Sequence, residues 1–119
     1  MNFKDSLPIY IHIQIKEYLS RQIITGKLEP NQMIPSVRNL ATQLTVNVNT
    51  IQKALRQMIN SGLLVTKRGE GNYVTSDKKL LEKIKRDMIV AEQRKFVQNM
   101  KSIGITPKQT HLILANHLK

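Results

Sequence analysis

A chain of 119 residues without a single cysteine excludes a disulfide framework and any thiolate metal site. Nineteen Lys and Arg against eight Asp and Glu leave a net charge of +11, a balance that suits an anionic polymer as partner but also fits ribosome-associated proteins and solvated lysine faces. No apolar run approaches the ~20 residues needed to span a bilayer, and MNFKDSLPIY holds no signal-peptide core, so the expectation is a cytoplasmic protein with no membrane partner.

Residues 1–7 are expected to be loosely held. Pro8 suits the first turn of a helix running to about Thr25, with Ile9, Ile13, Leu19, Ile23 and Ile24 on its apolar face and Gly26 closing it. Lys27 to Pro35 holds two prolines and reads as a loop, with Met33 and Ile34 adding a short strand. Ser36 can cap a helix VRNLATQL whose Val37, Leu40, Ala41 and Leu44 face inward. Thr45 and Val46 make a tight connection, and Asn47 can cap a second helix over Val48 to Ser61, with Val46 and Ile51 as a hydrophobic staple.

Ile51, Ala54, Leu55 and Met58 form the buried edge of that second helix, which Gly62 ends. Its opposite edge carries Asn49, Gln52, Lys53 and Arg56 at i, i+3, i+4 and i+7. Amide side chains and cations on one exposed stripe are what a helix laid in a DNA major groove presents. Asn and Gln can bond adenine at two atoms, whereas Lys53 and Arg56 suit phosphates. Two helices joined by a short turn make a helix-turn-helix with the second as reader. LLVTK and NYVT, separated by Arg68, Gly69, Glu70 and Gly71, then read as a two-stranded wing with Lys67 and Arg68 near its tip.

The stretch LEPNQMIPSVRNLATQLTVNVNTIQKALRQMINSGLLVTKRGEGNYV resembles the GntR family of bacterial transcription regulators, and VNVNT with the short tail resembles its YtrA subfamily. The likeness covers roughly residues 8 to 75, with PSxRxLA, the reader helix, the GLL step and the GxGxYV wing in register. It implies that Arg38 grips a phosphate or a guanine, that Asn47, Asn49, Thr50 and Gln52 lie at the groove, and that Gly69 and Gly71 bring the wing to the minor groove; Ser36 is counted with them as a DNA-binding residue. Many members carry arginine where this chain has Val48 and Gln52, so guanine contacts by those arginines do not transfer. YtrA-like members often control transporter operons. Full-size relatives carry a larger effector domain than residues 77–119 can supply, so an inducer, if there is one, binds at the dimer interface or acts otherwise.

Residues 77–103 contain neither Gly nor Pro and read as one long helix. Leu81, Ile84 and Met88 share one stripe, and Ile89, Phe96, Met100 and Ile103 a second, rotated by very roughly 80°. Gly104 ends the helix, and Thr106, Pro107 and Gln109 open the next with a capping box, followed by Leu112, Ile113 and Leu118 on its apolar side. Two such helices are too small to form a core alone, so residues 77–119 are expected to build a twofold dimer through these apolar side chains.

His12, His111 and His117 lack the spacing of metal ligands and read as ordinary helix histidines, while Met58, Met88 and Met100 read as core fillers, with an adaptable interface pocket as the alternative. GEGNY is too short and wrongly flanked for a nucleotide-binding loop, and no catalytic constellation emerges. The expectation is mainly α with a small β-wing: a winged helix-turn-helix domain over 1–76 and a two-helix dimerisation hairpin over 77–119, with no cofactor and no enzymatic activity. As a homodimeric repressor it would bind double-stranded DNA at a pseudo-palindrome. A non-specific nucleic-acid-binding winged helix and a protein-docking adaptor are the alternatives from other classes.

Overall fold

Helix α1 (Pro8–Ile24) turns Ile15, Leu19 and Ile23 into the core, at steps of four residues that keep them on one face. The computed structural model describes residues 8–118, with side chains from residue 10 onward; the expectations for residues 1–7 and for the Ile9 side chain lie outside them. Ile13, expected on the inner face, is 41% exposed, and Ile15 takes the central place. Two residues along a helix turn ~200°, so Ile13 and Ile15 cannot share a face, and the isoleucines at alternate positions make the apolar side ambiguous in sequence. His12 and Ser20 are buried beside this face, and His12 engages a partner.

Helices α2 (Val37–Leu44) and α3 (Val48–Asn60) follow with their expected starts. Leu40 and Ala41 of α2 are buried, and Val37 and Leu44 half-buried. Ile51, Ala54, Leu55 and Met58 of α3 are all buried, and α3 packs on α1, on α2 and on the first strand. Deleting a buried side chain of this size costs ~2–5 kcal/mol, a large share of the ~5–15 kcal/mol that holds a small domain folded.

The turn between α2 and α3 closes at Thr45, which adopts φ 55°. The backbone N–H of Val46 donates to Ala41 O at 3.0 Å, leading the chain into α3. At the far end of α3 the same closure uses glycine. Gly62 has φ 84°, its N–H donates to Ile59 O at 3.0 Å, and the Leu63 N–H donates to Met58 O at 3.0 Å.

Strands β1 (Leu64–Lys67) and β2 (Gly71–Val74) form an antiparallel hairpin in which Leu64 opposes Val74, Val65 opposes Tyr73, Thr66 opposes Asn72 and Lys67 opposes Gly71. Leu64 and Val74 are buried and seal the core beneath the wing. The connecting turn is Arg68, Gly69 and Glu70. Gly71, expected in the loop, instead belongs to β2, paired with Lys67. Met33 bridges Tyr73 on the outer side of β2, and the N–H of Ile34 donates to Asn72 O at 2.9 Å, so the expected short strand is a single bridge. Ile34 itself is buried.

The backbone divides into two compact units, the first extending to Leu81 and the second beginning at Glu82. Asp77 opens α4 (Lys78–Ser102): its Oδ1 accepts from the Leu80 N–H at 3.1 Å. Along α4 no residue is buried. After Gly104, Thr106 caps α5 (Pro107–His117) with a full capping box, Oγ1 accepting from the Gln109 N–H at 3.1 Å and Gln109 Oε1 accepting from the Thr106 N–H at 2.9 Å. Leu118, expected on the apolar side of α5, is its C-cap and is 77% exposed. No helix among the described residues is long and apolar enough to cross a membrane.

Candidate nucleic-acid interface

Helix α3 carries its polar stripe to solvent. Asn49, Gln52, Lys53 and Arg56 are all exposed, and Thr50 is half-buried beside them. Position follows from the opposite edge: with Ile51, Ala54, Leu55 and Met58 fixed in the core, helical periodicity leaves these polar residues nowhere else to point.

Asn47 stands at the entrance to the stripe, where its Oδ1 accepts from the Asn49 backbone N–H at 2.7 Å. The cap engages the acceptor and leaves the NH₂ group able to donate. Ser36 caps α2 in the same way, its Oγ accepting from the Asn39 N–H at 3.1 Å, which leaves its own O–H to donate. Arg38 sits exposed in the first turn of α2. Val48, absent from the sequence-derived set, is 38% exposed in the first turn of α3. An apolar side chain there suits a thymine methyl. Its signal in the sequence is a branched apolar residue standing off the core spacing.

Lys67 Nζ lies 4.1 Å from the centroid of the Tyr73 ring, a cation–π contact that holds the lysine against the outer face of the hairpin. Val65 opposes that tyrosine across the ladder, which puts Val65, Lys67 and Tyr73 on one face and Leu64, Thr66, Asn72 and Val74 on the other. Arg68 and Gly69 form the exposed tip with Glu70. Gly69 has φ 78° and open space around it, so glycine there serves the turn, whereas a side chain at Gly71 would come within 3.4 Å of Met33 Sδ.

Between α3 and β2 runs an open cleft of about 340 Å³, lined by Val37, Gln52, Leu55, Arg56, Ile59 and Asn72. Among the described residues, Arg38, Lys53, Arg56, Lys67 and Arg68 form no salt bridge, whereas Lys83 pairs with Asp87 at 3.5 Å and Lys95 with Glu92 at 3.7 Å, both pairs exposed. These interface cations therefore keep their charge available to an anionic ligand. No group of three or more potential metal ligands occurs among the described residues, and His12 and His111 lie on different helices.

The sequence pattern described as "Bacterial regulatory proteins, gntR family" matches residues 12–74, more than half of the chain. The chain belongs to the GntR family. Among curated members, the HTH-type transcriptional repressor YtrA of Bacillus subtilis is 30% identical over 109 residues, covering 91% of this chain and 82% of that protein. Among solved structures, a GntR family transcriptional regulator from Listeria monocytogenes superposes with a TM-score of 0.83 at 34% identity, over 95% of this chain and 97% of the other. The DNA-binding domain of AraR in complex with operator ORX1 matches 59% of this GntR-family chain and 82% of that one, with a TM-score of 0.53 and 37% identity. The family places the chain among DNA-binding transcriptional regulators and away from enzymes.

Proposed function

We propose that this GntR-family chain is a homodimeric repressor that recognises a pseudo-palindromic operator, with α3 of each subunit in a major groove. The observation that carries the reading is the exposed α3 stripe of Asn49, Gln52, Lys53 and Arg56, set against a fully buried opposite edge. Asn49, Gln52 and the free amide of Asn47 read base edges, with Thr50 at their side; Lys53, Arg38 and Arg68 hold phosphates. AraR bound to its operator and the repressor YtrA support both the mode and the sign of regulation. By the family resemblance, the regulated genes belong to a transporter operon.

Dimerisation falls to residues 77–119. Ile89, Phe96, Ile103, Leu112 and Ile113 are exposed in the single chain, with Leu81, Ile84, Met88 and Met100 half-buried, an apolar area that a second copy would cover. Two α3 helices related by a twofold axis demand half-sites about 34–36 Å apart or a multiple of that spacing.

A dimer carries +22 (twice +11), so binding should weaken steeply with salt; ~6 to 10 phosphate contacts lower affinity ~10³ to 10⁵-fold between 50 and 200 mM. Selection of bound duplexes from a random pool, followed by mobility shift against random competitor, tests the reading. An inverted repeat is the expected product. Equal binding to all duplexes would sink it.

A further inference from the structure

In the reading proposed above, on which this inference rests, α3 occupies a major groove, and the family resemblance brings the wing to the adjacent minor groove. The DNA strand that divides those two grooves then has to cross the gap between helix and wing. That gap is the cleft lined by Val37, Gln52, Leu55, Arg56, Ile59 and Asn72. Its apolar residues, Val37, Leu55 and Ile59, suit the carbon face of a deoxyribose, and its polar ones are donors.

Two of those donors converge on what a phosphate needs. Arg56 is exposed and has no carboxylate partner among the described residues. Asn72 is half-buried and faces Thr66 directly across the hairpin, where Thr66 Oγ1 donates to Asn72 Oδ1 at 2.7 Å. The ladder fixes both ends of that bond. With its oxygen engaged, the amide is oriented so that Nδ2 is left to donate, and no acceptor among the described residues takes it.

We propose that this cleft is a sugar–phosphate cradle in which the Arg56 guanidinium and the Asn72 amide hold one backbone phosphate, with Thr66 as the positioning residue for Asn72. Neither contact reads a base. Their effect is register: Gln52 lines the same cleft, so the phosphate held there sets how deeply Gln52 enters the neighbouring major groove.

The test uses the full chain and the duplex it selects from a random pool, with single methylphosphonate linkages stepped through one half-site. For the unaltered chain, one neutral linkage between the major-groove contacts and the flanking minor groove should lower affinity about tenfold, the size of a charge-assisted hydrogen bond. Asn72→Asp puts a carboxylate against that phosphate. It should lower affinity for the native duplex about tenfold, and the same neutral linkage should then cause no further loss. Arg56→Gln should reduce the slope of log affinity against log salt by about one. Thr66→Val, which keeps the shape and removes the donor, should weaken the dependence on that linkage without abolishing binding. If specific binding persists and the methylphosphonate profile is the same for the unaltered chain, Asn72→Asp and Arg56→Gln, the cradle is overturned alone. If the unaltered chain selects no duplex, the operator reading falls and takes the cradle with it.

Discussion

Asn47 Oδ1 accepts the backbone N–H of Asn49 at 2.7 Å, so the residue that opens the reader helix is also its fastening. Loss of such a cap costs ~0.5–2 kcal/mol. Asn47→Ala should therefore lower the melting temperature, and Asn47→Asp should keep it, since a carboxylate caps well and suits a helix N-terminus. Asp removes the NH₂ group and adds a negative charge at the groove, so it should depress DNA binding despite the intact fold. Thermal melts and mobility shifts on both variants separate the two roles; equal binding by Asn47→Asp and the unaltered chain would contradict the placement at DNA.

Gln52 and Lys53 are neighbours on α3 with different expected effects. Gln52→Ala, like Asn49→Ala, should relax preference at particular base pairs, by ~1–3 kcal/mol of discrimination. Lys53→Ala should weaken specific and random duplexes alike, with a shallower salt dependence. Titration of all three variants against both duplexes decides; parallel losses for Gln52 and Lys53 would remove the division of labour.

The contact between Lys67 and Tyr73 predicts an epistatic pair. An exposed cation–π contact is worth ~0.5–1 kcal/mol. Tyr73→Phe keeps the ring and should bind DNA like the unaltered chain, whereas Tyr73→Leu should lose about two- to fivefold as the lysine is released. Adding Lys67→Ala to Tyr73→Leu should produce little more than Lys67→Ala alone, which a double-mutant cycle measures.

Gly62 adopts φ 84°, and a Cβ at that position would stand 3.2 Å from Leu80 Cδ2. Gly62→Ala combines left-handed backbone strain of ~1–2 kcal/mol with a displaced leucine, and should lower stability on denaturant unfolding by at least that strain. A variant as stable as the original would show that the helix end can be rebuilt without positive φ.

Among the described residues, the buried apolar side chains of the core lie between Ile15 and Val74, and the first compact unit reaches Leu81. A chain ending after Leu81 should therefore fold, sediment as a monomer and lose affinity for the full operator while keeping contact with a half-site. A dimer of undiminished affinity would reassign the interface away from α4 and α5.

Much of this arrangement was legible because the relevant signals are local. Ser36 and Asn47 cap the helices their positions foretell, Gly62 closes α3, and the box of Thr106 and Gln109 starts α5, since each requires only a few neighbouring residues. Where local signals are degenerate, the reading slipped. The alternating isoleucines of α1 offered several apolar faces, and only packing against α3 selected Ile15 over Ile13. Gly71 looked like a loop glycine until the pairing with Lys67 drew it into β2.

By itself, the sequence determined the helix-turn-helix, its boundaries and the polar edge of α3, because helical periodicity and end-capping act over four residues or fewer. Only the tertiary structure decided that Asn72 faces Thr66, that Lys67 lies on Tyr73, and that a cleft opens between α3 and β2. Those relationships depend on cross-strand register and on packing between elements distant in the chain, which no local pattern of residues encodes.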